Sequence, residues 1–192
     1  MSIRTNDRTR ISRGTIAFIT AALLALVALT GSASAAGLKG KTTLALDPGA
    51  GAALTSLGVS VAPVAPATAG ADGISFPVTG LGGSLFPLTL QVKHSGGLAL
   101  SAGSTTVSLT DYTIVLGRSP NLVATVNGGP RVSILKLDLS KTRIRLGSSG
   151  LMVGPVKASL TEAAAGALNG AFGVTAFTKG LVLGNATIKV SR

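Results

Sequence analysis

Leu88-Thr89-Leu90-Gln91-Val92-Lys93-His94-Ser95-Gly96-Gly97-Leu98-Ala99-Leu100 is the stretch that decides how the chain folds. Its side chains alternate with the two-residue period of a strand that buries one face. Leu88, Leu90 and Val92 share a parity that His94 continues, so the only histidine of the chain faces the core at a strand end. Gln91 and Lys93 point the other way. Gly96-Gly97 then punctuates the chain before a second apolar run begins at Leu98. An inward histidine beside a glycine turn can do one of two things: donate to a backbone carbonyl and fix the strand end, or support a ligand.

The same pattern of short apolar runs between Gly, Pro, Ser and Asn continues on both sides. It predicts strands at 43–46, 59–64, 74–78, 88–92, 98–100, 106–109, 112–116, 122–126, 132–139, 142–146, 153–158 and 187–190. Pro63 and Pro66 make the second an edge strand or a strand entry. Between Leu109 and Tyr112 the inward parity switches, which reads as a bulge at Thr110-Asp111 and turns Tyr112, the only tyrosine, inward. The expected fold is mostly β, a single-domain β-sandwich or curled barrel with two short helices near the N- and C-terminal ends.

Those helices lie in two similar segments, LDPGAGAALTSLGV (Leu46–Val59) and LTEAAAGALNGAFGV (Leu160–Val174). Each has an N-cap candidate (Asp47, Thr161), an Ala-rich run, and a glycine stop before valine (Gly58, Gly173). Pro48 suits a first helical position and Glu162 a first turn. Two copies suggest a pseudo-symmetric closure in which each end of the chain adds strand, helix and strand to one sheet.

At the N-terminus Arg4, Arg8, Arg10 and Arg13 precede the mostly apolar run Ile16–Leu29, followed by the small residues 31–37. This is the pattern of a Sec-type secretory signal peptide over residues 1–36, cleaved near Ala35 or Ala36, and leaves residues 37–192 as one β-rich domain. The run is shorter than the roughly 20 residues of a membrane span, so no transmembrane anchor is expected after cleavage. The expected location is secreted or at the cell envelope. With no cysteine, thiolate metal sites and thiol nucleophiles are excluded, and stability must come from packing.

Taking Arg4, Arg8, Arg10, Arg13 and Asp7 from the 17 basic and 6 acidic side chains leaves 13 and 5, a net charge of +8. Such a surface favours anionic partners. Nucleic acid is not expected, because there is no Trp and one Tyr to stack on bases. The densest basic stretch holds Lys141, Arg143 and Arg145 on one face. It reads as a two-residue turn at Ser140-Lys141, as a charge-protected edge strand, or as an anion-binding stripe for an anionic cell-wall polymer.

Enzyme constellations are thin. Ser95 follows His94 directly, so the two do not face each other as nucleophile and base. The carboxylates Asp47, Asp72, Asp111, Asp138 and Glu162 are mostly explained by caps, turns and basic neighbours, and no enzymatic activity is expected. One His, no Cys and one internal Met also leave too few ligands for structural zinc. Haem is different, since one axial Tyr or His can hold its iron.

In the order of its parts the chain resembles the HtaA family of secreted actinobacterial haem-transport domains. The residues that carry the likeness are Ile74-Ser75-Phe76-Pro77, His94-Ser95-Gly96-Gly97-Leu98, Leu109-Thr110-Asp111-Tyr112, Leu160-Thr161 and Phe177-Thr178-Lys179-Gly180-Leu181-Val182-Leu183, spanning roughly Ile74 to Val190. The resemblance implies a haem-binding β domain in which a histidine, here His94, supports a tyrosinate ligand. Haem-binding members carry Trp and that tyrosine on an N-terminal helix, whereas Leu46–Gly58 has neither. Tyr112 is therefore a substitute ligand candidate of its own, not one carried over. The resulting expectation is an exported, non-enzymatic binding module for haem or another apolar small molecule, with His94 and Tyr112 at the site. The alternative is a structural or interaction protein held to anionic polymer by Lys141, Arg143 and Arg145.

Overall fold

The computed structural model describes residues 39–191 other than 87 and 149; the expected signal peptide lies outside the described residues. Twelve strands and two helices are found there: β1 Lys39–Leu46, α1 Pro48–Ser56, β2 Ser60–Val64, β3 Thr68–Gly70, β4 Gly73–Leu85, β5 Leu88–His94, β6 Gly97–Ala102, β7 Thr105–Leu116, β8 Asn121–Val126, β9 Arg131–Asp138, β10 Arg143–Gly147, β11 Gly150–Leu160, α2 Glu162–Phe172 and β12 Val182–Ser191. Eight of the strands close an antiparallel barrel in the order β7-β5-β4-β1-β12-β11-β9-β8, with β8 returning to β7. Of the two expected architectures the barrel is the one formed, and closure pairs edges that an open sheet would expose.

The expected alternation holds from Leu90 onward, with Leu90, Val92 and His94 buried and Lys93 exposed, whereas Leu88, of the same parity, is exposed at the start of β5. β7 is long enough to take two partners along one edge: β6 lies on Thr105–Thr110 and β5 on Thr113–Leu116. The joint between them, Ser95-Gly96, sits opposite the bulge expected at Thr110-Asp111, where Asp111 adopts φ 53° and its N–H donates to the Gly96 carbonyl. Glycine is required at this joint. Gly96 has φ +79°, and a Cβ there would stand 2.5 Å from the Ala67 amide nitrogen; a Cβ at Gly97 would collide with the Leu109 carbonyl.

Both helices start and stop as the sequence predicts. Asp47 accepts from the N–H groups of Gly49 and Ala50, Thr161 accepts from Ala164, and Gly58 and Gly173 take left-handed conformations at φ 67° and 65°. The strands around them differ from the expected symmetry. β11 and β12 are neighbours in the barrel, but β1 and β2 are not: β2 pairs with β6, outside the closed ring. The similar segments thus specify similar caps, while the strand pairing is set by partners elsewhere in the chain. The strand expected at 74–78 runs on through the glycine-rich residues 80–83 to Leu85 as β4, because β5 supplies its hydrogen-bond partners through Leu85↔Leu88.

Candidate functional site

A cavity of about 630 Å³ occupies the barrel under the helices. Its wall is almost wholly aliphatic, drawn from inward positions of β1, β6, β7, β8, β9, β11 and β12. Helix α2 turns one face to it through Ala164, Ala167, Leu168 and Ala171, the three- and four-residue spacing of a helical stripe, and α1 contributes Leu54. Phe177 closes part of the wall; its backbone is held by Asn169, which donates from Nδ2 to the Phe177 carbonyl at 2.8 Å and accepts from its N–H at 3.0 Å. The lining residues Leu46, Asn127, Gly129, Pro130 and Ala171 are exposed, so the cavity opens at the helix-bearing end.

His94 and Tyr112 stand side by side on this wall, and both also border a shallow polar cleft on the other side, formed with Gln91, Lys93, Asp111, Thr113 and Arg131. Both are 5% exposed. His94 Nδ1 lies 3.3 Å from the Tyr112 carbonyl oxygen, and its Nε2 lies 2.7 Å from the Thr42 hydroxyl. A carbonyl only accepts, so Nδ1 carries the proton, and Nε2 accepts from Thr42. Burial then pulls the His94 pKa down to about 4, opposed by hydrogen bonding to the Tyr112 and Val92 main chain, and the ring is neutral near pH 7.

Tyr112 packs its ring edge-on to Phe76, centroids 5.0 Å apart at 84°. Its hydroxyl is buried and has no hydrogen-bond partner within 3.5 Å among the described residues. Burial pushes this phenol well above its ordinary pKa, with a smaller lowering effect from the Leu98 main chain. The two residues singled out from the sequence are therefore brought together, although they meet through the Tyr112 carbonyl and not its phenol. Sequence reasoning missed Thr42. Its parity with Leu44 on β1 places it inward, and a hydroxyl at an inward strand position was the available signal.

Lys141, Arg143 and Arg145 are elsewhere, and all three are exposed. Ser140-Lys141 is a turn, as one reading expected, and its start is held by Asp138 accepting from the Ser140 N–H at 2.9 Å, a bond that lowers the Asp138 pKa. Among the described residues β10 pairs only with β11, so Arg143 and Arg145 lie on an edge strand there. Among the described residues there is no group of three or more His, Cys, Asp or Glu placed to hold a metal ion.

Solved structures share this architecture. The C-terminal domain of HtaA from Corynebacterium glutamicum aligns over 80% of this chain and 96% of its own length, with a TM-score of 0.58 at 12% identity. The fold is HtaA-like. The N-terminal domain of HtaA from the same organism matches this HtaA-like barrel at TM-score 0.55 and 14% identity, over 80% of this chain and 96% of its own. The heme binding protein HtaB of that organism aligns at 0.48 and 10% identity, over 80% and 94%. No family model and no curated protein matches the chain.

Proposed function

We propose that the HtaA-like barrel is a non-enzymatic binding module that takes haem, or another apolar molecule, into the cavity beside His94 and Tyr112. The observation that carries this reading is the cavity itself: enclosed by aliphatic side chains, open at one end, and interrupted by few polar groups. The buried Tyr112 hydroxyl is the one phenol available as an oxygen ligand to haem iron, since α1 has none, and coordination would have to offset the burial that holds it protonated. Bound haem would supply the iron centre. Tyr112 would hold it, His94 would fix the Tyr112 backbone from behind, and the aliphatic wall would exclude water.

Haem titration of the purified chain, followed at the Soret band, tests the reading. Saturable binding is expected, with the band altered in Tyr112→Phe. Binding of a fluorescent fatty acid without any haem spectrum would keep the apolar-ligand class and remove haem from it. Saturable binding of neither would overturn the proposal.

Export of the module to the envelope is part of the same proposal, supported by the N-terminal pattern of residues 1–36. Sequencing the N-terminus of protein recovered from a culture supernatant tests it, with Ala36 or Gly37 as the expected first residue. The alternative of anchorage to anionic polymer has the exposure of Lys141, Arg143 and Arg145 in its favour. Retention on cell-wall material that added salt does not weaken would count against it.

A further inference from the structure

The two ends of the barrel differ. Strand directions place α1, α2 and the cavity opening at one end. At the other end lie the β4–β5 connection, the β10–β11 hairpin, the start of β1 and the end of β12. This helix-free rim carries four of the large apolar side chains that the fold leaves exposed: Phe86 at 92%, Leu146 at 70%, Leu85 at 66% and Leu88 at 40%. They sit on two projecting connections separated around the barrel by β1 and β12.

Between those connections runs a row of aligned outward positions across four strands. Arg145 is opposite Met152, Met152 opposite Lys189, and Lys189 opposite Lys41. Like charges directly opposite each other weaken a sheet, and Lys41–Lys189 is such a pair. Lys39 lies one pleat nearer the rim. Asp47, Asp72 and Glu162 are all at the far end, Asp111 sits at the β7 bulge, Asp138 stands opposite Lys157 at the end of β9, and the only ion pair among the described residues, Lys179–Glu162 at 3.1 Å, is at the far end too. The row therefore holds cations with no ion-pair partner among the described residues.

We propose that this rim docks on an anionic lipid bilayer. The Phe86, Leu85, Leu88 and Leu146 side chains enter the boundary between headgroups and acyl chains, and Lys41, Lys189, Arg145 and Lys39 meet the lipid phosphates. The apolar side chains are what favour a bilayer over a soluble polyanion, which offers them no apolar phase. Docking by this rim points the cavity opening away from the membrane, so a ligand would enter from the aqueous side. The inference does not depend on which ligand the cavity takes.

The chain contains no tryptophan, so Phe86→Trp places a single indole at the rim. Its emission is expected to shift to the blue on phosphatidylglycerol vesicles and to stay unshifted on phosphatidylcholine vesicles. Adding Lys41→Ala, Lys189→Ala and Arg145→Ala is expected to raise the lipid needed for half the shift about a hundredfold, at roughly fivefold for each cation removed. Every variant carries the same residues 1–36, so a difference between variants reads the rim substitutions alone. Circular dichroism and haem or fatty-acid titration check that the variants remain folded. An unshifted indole on phosphatidylglycerol, an equal shift on both lipids, or a half-shift unchanged by the three substitutions would overturn the proposal. Binding to polyphosphate by a chain whose indole stays unshifted on vesicles would assign the row to a soluble polyanion instead.

Discussion

His94 and Thr42 stand 52 residues apart in sequence and 2.7 Å apart in the barrel, with the imidazole Nε2 accepting from the threonine hydroxyl across the strands β5, β4 and β1. Because Nδ1 is committed to the Tyr112 carbonyl, both ring nitrogens are satisfied inside an apolar wall. Removing the hydroxyl leaves a buried acceptor with nothing to accept from. Thr42→Val is expected to lower stability by about 1–3 kcal/mol, seen as a lower urea midpoint at unchanged slope.

The neutral state of His94 makes stability depend on pH. An unfolded histidine takes up its proton near pH 6.5, whereas the folded one resists until about pH 4. Between those values the unfolded chain binds more protons, so stability rises with pH through the window and falls as the solution is acidified. The loss on going from pH 7 to pH 4 is expected to approach about 3 kcal/mol from this group alone. Urea unfolding at pH 7, 5.5 and 4.5 should show the decline, and His94→Gln, less stable at pH 7, should flatten it.

Tyr112→Phe separates a ligand role from a structural one. The hydroxyl loses no hydrogen bond within 3.5 Å among the described residues, only the weak influence of the Leu98 main chain, and the ring keeps its edge-on contact with Phe76. Stability is expected to stay level or rise by about 1 kcal/mol, since an unsatisfied buried hydroxyl carries a desolvation cost. A thermal melt reads that change, and the Soret band reads the ligand role independently.

Two glycine substitutions should act in opposite directions. At Gly97 a methyl group meets the Leu109 carbonyl and the Thr110 side chain, so Gly97→Ala must push β6 off β7 and is expected to cost more than about 3 kcal/mol. At Gly166, in the middle of α2, nothing lies within 4 Å of the added Cβ. Gly166→Ala should stabilise by about 0.5–1 kcal/mol through helix propensity. Paired denaturation curves decide both.

Ala171 is exposed yet lines the cavity from the last turn of α2. Ala171→Trp is expected to obstruct the opening and weaken fatty-acid or haem binding at least tenfold, while changing stability by less than about 1 kcal/mol. Unaltered binding would place the entry route elsewhere.

Local chemistry was readable wherever the governing interaction is local. The caps at Asp47 and Thr161, the glycine stops at Gly58 and Gly173, the inward parity of His94, and the bulge beside Tyr112 all follow from neighbours a few residues away. The strand expected at 74–78 extends to Leu85 because the pairing of 80–85 comes from β5, and glycine propensity says nothing about a partner strand. The symmetry suggested by the two similar segments failed at β2 for the same reason.

The sequence alone determined an aliphatic, alternating, cysteine-free chain that must bury one face of many short strands, with its single histidine and single tyrosine turned inward. Tertiary structure decided that the strands close on themselves, that Thr42 is the partner of His94, and that apolar tips and a cationic row share one rim. The division is physical. A period of two is written in side chains next to each other, but register and closure depend on hydrogen bonds between segments far apart, whose free energy no single segment contains.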